Sequence, residues 1–176
     1  DSAFYNCTSV VSVALSEGVT NIDDDAFYNC PSLTNISLPN GLTRIGRAAF
    51  LNCTSLSDIL LPESVSDIEA FAFSRCKLLS SLTLPDGITS INEHTFYGCS
   101  SLADMRIPDG VTSIGFWAFK DCESLKSVTL PRSLTKIDDD AFCDCSPALR
   151  FTVTRGSLAE KWCMRQHAAY GFSDEK

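Results

Sequence analysis

The chain reads as an α/β solenoid, a row of equivalent coils rather than a ball, with short parallel strands along a concave face and short helical turns along a convex one. Three observations lead there. Cysteine recurs every 23 residues at Cys7, Cys30, Cys53, Cys76, Cys99, Cys122 and Cys145. Phenylalanine recurs in the same register at Phe4, Phe27, Phe50, Phe73, Phe96, Phe119 and Phe142. Between them runs an alternating apolar segment closed by proline at Pro39, Pro62, Pro85, Pro108 and Pro131. A fixed period of this length marks units that cannot bury their apolar edges alone and must stack on neighbours.

Each coil has three parts. The first is Leu33-x-x-Ile36-x-Leu38 and its equivalents, such as Leu56, Ile59, Leu61 and Leu102, Met105, Ile107. Alternation with period two predicts a short strand with one face buried. Proline lacks the N–H that would extend the ladder, so pairing stops there. Gly18, Gly41, Gly87 and Gly110, with Ser64 and Ser133 in the other coils, ease the corner. The second part is an inward pair such as Val65 and Ile68, predicting a second brief strand. In the third, Ile22, Ala26 and Cys30 stand four apart, as on one face of a helical turn. Asn6, Asn29, Asn52, Gly98, Asp121 and Asp144 precede the cysteines and tolerate the left-handed backbone that ends such a turn; Arg75 is the exception in type. A crossover between parallel strands winds right-handed.

After Cys145 an inserted residue breaks the register, and Leu149, Phe151 and Val153 form a last strand. Ser157-x-x-Glu160 is a capping box, predicting a helix to about Ala169, stopped by Gly171. Leu158, Trp162, Arg165 and Ala169 share a face of it, with Trp162 plugging the last coil, and Lys161, Arg165 and His167 suit its C-terminal half. Phe172 finishes the packing, and the tail from Ser173 to Lys176 frays. This gives about six full coils over 1–153, the N-terminal one incomplete, and a cap with tail over 154–176. Asp1 opens within a repeat, so the chain reads as a fragment or processed product with further repeats or a cap upstream.

The pattern Leu-x-x-Ile-x-Leu-Pro-x-x-Leu-x-x-Ile-x-x-x-Ala-Phe-x-x-Cys resembles the BspA-like, or Treponema-type, leucine-rich repeat over residues 1 to about 153. The resemblance implies a right-handed leucine-rich repeat solenoid, a helical C-terminal cap and no shared catalytic residues. It also implies a protein-binding role, mostly bacterial or protozoan surface proteins that adhere to host proteins or to other microbes, hence a cell-surface or secreted location.

Charge and chemistry narrow the function further. A net charge of −8 leaves no basic stripe to displace the counterions of nucleic acid. No apolar run approaches the roughly 18 residues that span a bilayer. Nine cysteines suggest a disulfide framework, but coils about 4.8 Å apart hold equivalent Cβ vectors parallel. A disulfide wants Cβ atoms about 3.8 Å apart and facing each other, so the seven register cysteines read as buried, reduced thiols. No serine or cysteine stands beside a base with a third group to orient it, so no enzyme and no cofactor are expected. Asn6, Asn35 and Asn52 head glycosylation sequons, relevant only to a secreted eukaryotic product.

The partner is expected to be a protein. On the concave face the distinctive outward residues are Asn35, Asp58, Leu60, Asp104 and Arg106; they read either as a binding surface or as a solvated sheet face. On the convex face Phe71, Tyr97, Phe116 and Trp117 fall out of register, with Phe71, His94 and Trp117 in one column. They read as a partner or homo-oligomer contact, or as rings folded down over the turns; the solenoid ends are a further place for copies to meet. Asp23-Asp24-Asp25 and Asp138-Asp139-Asp140 suit the starts of helical turns better than calcium, since five coils separate them by roughly 24 Å. Cys143, Cys145, Cys163 and His167 are the only set with zinc-like content; a Cys143–Cys163 disulfide and unlinked thiols are the competing readings. An intracellular scaffold, favoured by reduced thiols, and a zinc- or thiol-dependent protein centred on the cap are the alternatives to surface recognition.

Overall fold

The computed structural model describes residues 2–173; Asp174–Lys176, the end of the expected frayed tail, lie outside the described residues. The chain forms a solenoid in which every strand pairing is parallel and joins one coil to the next. The first strand of the coil appears as β1 (Ser12–Ala14), β3 (Asn35–Ser37), β7 (Asp104–Arg106), β9 (Ser127–Thr129) and β11 (Arg150–Val153). The second appears as β2 (Asn21–Ile22), β4 (Arg44–Ile45), β5 (Asp67–Ile68), β6 (Ser90–Ile91), β8 (Ser113–Ile114) and β10 (Lys136–Ile137). Pairing keeps the repeat in register, with Ile22 opposite Ile45, Ile45 opposite Ile68 and Met105 opposite Val128.

Inside the coils, the phenylalanines stand in one file. Consecutive rings from Phe4 to Phe142 are stacked with centroids 4.9 to 5.8 Å apart. Phe50, Phe73, Phe96 and Phe119 are fully buried, and the leucine and isoleucine columns close around them. At the first coil Phe4, Cys7, Val10, Val13, Leu15 and Val19 are only partly covered. At the other end Phe142 meets Phe151 and Trp162 edge-on, at 5.0 and 5.7 Å.

The expected helical turns are replaced by strings of tight turns. Ile22, Ala26 and Cys30 do face inward, but the amides between them alternate. Those of Asp25, Phe27 and Asn29 donate to Arg47, Ala49 and Leu51 in the next coil, while those of Ala26 and Tyr28 turn back to Asp23 and Asp25. A helix would aim its amides along its own axis rather than at the next coil, and a segment of this length repays helix nucleation poorly. Aiming alternate amides along the stack requires two left-handed residues per coil. One is the residue before cysteine, as its composition suggests, Arg75 included (φ 60°). The other column runs Ser2, Asp25, Ala48, Phe71, His94 and Trp117 and carries no consistent mark in the sequence; Ala48, Phe71, His94 and Trp117 have φ of 52°, 63°, 55° and 54°. Side chains there carry a local penalty of roughly 1–2 kcal/mol each.

The corners depart from expectation too. Amides of Leu42, Val65, Ile88 and Val111 donate to the carbonyl of the proline three residues earlier. None of the corner glycines has a positive φ, and the serine substitutes add a bond instead: Ser64 and Ser133 hydroxyls donate to Leu42 and Val111 of the preceding coil at 2.5 and 2.6 Å. Glycine is needed elsewhere, at Gly46 and Gly115, where a Cβ would lie 2.7 Å from the Asp24 nitrogen and 2.8 Å from the Glu93 nitrogen.

Only one helix forms among the described residues, α1 (Leu158–Arg165). The Ser157 hydroxyl accepts from the Glu160 amide at 3.1 Å, and the Glu160 carboxylate accepts from the Gly156 amide. The helix ends four residues short of expectation because Gln166 caps it and His167 turns left-handed (φ 54°). The chain then forms β12 (Tyr170–Phe172), parallel to β11. The expected buried face of Leu158, Trp162, Arg165 and Ala169 is corrected to Ala159, Trp162 and Cys163, with Leu158 and Arg165 outside. Phe172, partly buried, packs against the core as expected, and the Arg155 guanidinium lies over its ring, 3.7 Å from the centre.

Candidate functional site

Two surfaces carry the distinctive residues, the strand face and the turn face, which the sequence assigns to the concave and convex sides. On the strand face Asn35, Asp58, Leu60, Asp104 and Arg106 are all exposed. Asn35 lies opposite Ser12, Asp58 bridges to Ser81, and Asp104 and Arg106 lie opposite Ser127 and Thr129. Leu60 is 85% exposed, in a column otherwise filled by Ala14, Ser37, Thr83, Arg106 and Thr129. Arg106 approaches Asp109 at 3.4 Å and Asp86 at 3.8 Å, contacts of the exposed kind that contribute at most about 1 kcal/mol.

The middle of this face is not a continuous sheet. The amides of Leu15, Ile107 and Leu130 donate to Ser37, Thr129 and Thr152 in the next coil. Among the described residues, the equivalent bonds from Leu38 to Leu60, Leu61 to Thr83 and Leu84 to Arg106 do not form. The isolated bridge Asp58–Ser81 and the Ser80 amide bond to the Ser57 carbonyl hold that region, and an open cleft of about 210 Å³ lies along it between Leu60, Leu61, Ser81 and Thr83.

On the turn face the aromatic residues gather into one cluster. Phe71 stacks on His94 at 4.3 Å, His94 meets Trp117 edge-on at 5.4 Å, and Phe116 stacks on Trp117 at 4.6 Å. Tyr97 joins at 5.8 Å from His94. Three cations lie over the rings: Arg47 on Phe71 (4.7 Å), Arg75 on Tyr97 (5.7 Å) and Lys120 on Trp117 (4.9 Å). Phe71, Tyr97 and Trp117 are half-buried in this packing, and Phe116 is 38% exposed at its rim. Burial pulls the His94 pKa down, and its Nδ1 is enclosed without a partner.

The acidic triplets open turns, not helices. Asp24 accepts from the Arg47 amide, and Asp138 from the Asp140 amide. Sequence reading missed what else they do. Arg44 sits among Asp24 (2.9 Å), Glu69 (2.6 Å), Asp23 (3.6 Å) and Asp67 (3.9 Å), and the bonds to Glu69 and then Asp24 raise its pKa. Asp139 pairs with Arg165 at 2.7 Å. Asp67 lies in Arg44's own column one coil on, and Asp23, Asp24 and Glu69 lie two or three positions from that column in the neighbouring coils, so aligning the repeats side by side finds the Arg44 set; Arg165 lies in the cap, where the repeat gives no such signal.

Cys143, Cys145, Cys163 and His167 are not brought together. Cys145 donates to the Phe119 carbonyl at 3.1 Å, Cys163 is fully buried in α1, and His167 is exposed beyond the helix end. No group of three or more His, Cys, Asp or Glu is placed to hold a metal ion among the described residues. Cys143, Cys145 and His167 do line one open cleft of about 490 Å³ at the α1 end, which Cys163 does not reach. All nine cysteines are free thiols. From Cys30 to Cys145, each register thiol donates to the phenylalanine carbonyl of the preceding coil at 3.1 to 3.2 Å. Burial pushes Cys53 and Cys99 up to about 12, which keeps them protonated and able to donate.

The sequence matches the BspA type leucine-rich repeat region, in six copies, over residues 1–81 and 68–159. The chain belongs to that family. No curated protein matches it significantly. Among solved structures it is similar to a leucine-rich repeat protein of T. pallidum, with 26% identity and a TM-score of 0.68 over 92% of this chain and 85% of that one. It is also similar to a leucine-rich cell surface protein of Faecalibacterium prausnitzii A2-165, at 26% identity and a TM-score of 0.50, covering 99% of this chain and 63% of that one. The pneumococcal vaccine antigen PcpA shares the fold at 16% identity and a TM-score of 0.64, over 95% of this chain and 56% of that one. No helix among the described residues is long and apolar enough to cross a membrane.

Proposed function

We propose that the chain is a non-enzymatic protein-recognition module displayed at or released from a cell surface, where it serves adhesion or recognition of a host or partner protein. Proteins of this repeat family are generally interaction or surface proteins, and one similar structure is described as a cell surface protein. The observation that carries the reading is a contrast between columns. Inward positions repeat the same residue types from coil to coil, whereas the outward strand-face column runs Ala14, Ser37, Leu60, Thr83, Arg106, Thr129. The fold fixes the first set and leaves the second free to serve a partner.

Asn35, Asp58, Leu60, Asp104 and Arg106 form the partner-binding surface in this reading. A second contact, to a partner or another copy, falls on Phe71, Tyr97, Phe116 and Trp117, favoured by Phe116 standing at the exposed rim of the ring cluster. Residues 1–153 supply the recognition solenoid and 154–176 its terminal cap.

Capture from host-cell and bacterial surface extracts on the immobilised chain tests this. Charge reversal by Asp58→Lys, Asp104→Lys and Arg106→Glu together abolishes capture, while Phe71→Ala with Trp117→Ala only weakens it. Capture that survives the first set and is lost with the second moves the site to the turn face. Absence of specific capture by the folded protein removes the recognition reading itself.

A further inference from the structure

The strand face has a centre, and its chemistry is one-sided. Leu60 is the most exposed large apolar side chain of the described chain at 85%, against 56% for the next, Val11. It stands where the backbone rungs between adjacent coils are missing, so the carbonyls of Leu60 and Thr83 and the amides of Leu61 and Leu84 make no bond to a neighbouring coil there. Beside it runs the open cleft along the Asp58–Ser81 bridge.

Around this apolar centre the charge is negative. One column at the corner following the strands runs Glu17, Asn40, Glu63, Asp86, Asp109 and Arg132, all exposed, with the single cation three coils from Glu63. Asp58 lies two residues before Leu60 on the same strand face and is exposed as well. The nearest cation on the face, Arg106, is already directed at Asp86 and Asp109. That leaves Asp58 and Glu63, the acids nearest Leu60 in sequence, without a cation against them among the described residues, on a chain whose net charge is −8. Such a field favours encounter with a positively charged surface and repels a negative one.

We infer that the cleft beside Leu60 is the docking point for a basic peptide segment of the partner protein. An apolar side chain of that segment lies against Leu60 and Leu61, and lysine or arginine residues flanking it meet Asp58 and Glu63. Free backbone groups at Leu60, Leu61 and Thr83 add hydrogen bonds that carry no side-chain preference. The assignment rests on the protein-recognition reading above and narrows it to one partner chemistry. An acidic rim alone attracts any polycation; the leucine at its centre is what asks for an apolar anchor.

The test is a synthetic array of short peptides probed with the labelled full chain. Each peptide carries Leu, Met or Phe flanked by Lys and Arg, by Asp and Glu, or by Ser, and matched peptides replace the anchor with Gly. Binding is expected only to peptides that are both basic and apolar-anchored, and it weakens steeply between about 50 and 500 mM salt. Leu60→Ser and the double variant Asp58→Lys with Glu63→Lys each reduce it roughly tenfold or more. These positions are exposed, so an unchanged melting temperature certifies that the variants are folded.

Equal binding to neutral or acidic peptides, equal binding to the glycine-centred peptides, or binding unchanged in both variants overturns the assignment. If Tyr97→Ala and Phe116→Ala remove peptide binding while Leu60→Ser retains it, recognition stands and the site is on the turn face. If no peptide binds, the basic-segment assignment falls, and capture from surface extracts decides the recognition reading independently.

Discussion

The strand face and the turn face both have to fasten each coil to the next, and they differ in how completely they do it. On the turn face, Phe4 donates to Ala26, Phe27 to Ala49, Phe50 to Ala72, Phe73 to Thr95, Phe96 to Ala118 and Phe119 to Ala141, without interruption. On the strand face the matching series loses three rungs in its middle, and the second-strand ladder breaks between β5 and β6 at about the same level. There the Asn92 side-chain amide donates to the Ile68 carbonyl at 2.7 Å, standing in for the backbone amide that serves elsewhere. The aromatic cluster bridges that same level, since Phe71 and His94 belong to the two coils involved. Stacking strength therefore sits on the turn side, and this is what lets the strand face vary at every coil without losing the fold.

If the ring file carries the stack, Phe73→Ala is the most damaging single change. Phe73 is fully buried and stacked on both sides, at 5.4 Å from Phe50 and 5.8 Å from Phe96. Its truncation is expected to lower stability by about 3–5 kcal/mol, read as a shift in the denaturant midpoint. A loss below about 1 kcal/mol would mean that the two faces share the load equally.

The thiols come next. Cys76→Ala removes a buried donor to the Phe50 carbonyl and leaves a small void, a combined cost of about 1–3 kcal/mol. The pH dependence follows from Cys53 and Cys99, raised from 9.0 to about 12 by burial. A folded pKa above the unfolded one means the folded state holds its proton longer. Stability is therefore unaffected below about pH 8.5 and falls as pH rises toward 12, with free thiolates released by unfolding. Thermal melts from pH 7 to 11 check this, and the decline is shallower in Cys99→Ala than in the parent.

What the sequence revealed divides along the same line. The file of Phe50, Phe73 and Phe96 and the inward Leu56, Ile59 and Leu61 were legible because burial demands the same residue type at every turn of the period. The left-handed residue before each cysteine was legible because Asn, Asp and Gly favour that conformation. Its companion column was not, because Phe71, Trp117 and Ala48 carry no chemical mark of a left-handed backbone; the next coil's carbonyls impose it. The helical turns were misread because inward spacing of four suits a string of turns as well as a helix. The gap in the strand face was invisible, since Ile59 and Leu82 keep the same alternation as Met105 and Val128, where pairing is complete. As for the candidate surfaces, exposure of Asp58 and Leu60 followed from strand alternation, whereas the cations over the rings required knowing which columns adjoin.

His94 offers a smaller test on the turn side. Burial lowers its pKa, so the folded state resists protonation; stability is complete above the unfolded value of about 6.5 and erodes as pH falls below it. The ring cluster is expected to loosen first, read as a change in Trp117 fluorescence as pH falls below about 6.5. Replacing His94 by Phe keeps a ring on Phe71 and abolishes the transition; a transition that persists belongs to the carboxylates instead.

Leu60 should show the least effect on stability. A side chain 85% exposed buries almost nothing, so Leu60→Ser is expected to change stability by no more than about 0.5 kcal/mol, and surface hydrophobicity by dye binding falls. That near-zero result, set beside the large loss for Phe73→Ala, is what the comparison of faces requires. The alternating pattern is equally satisfied by leucine or serine at an outward position, so the fold supplies no reason for leucine there. A destabilisation of about 2 kcal/mol would instead mean that Leu60 folds back over the broken rungs and shields them, and the strand face would then be closing its own gap rather than offering it to a partner.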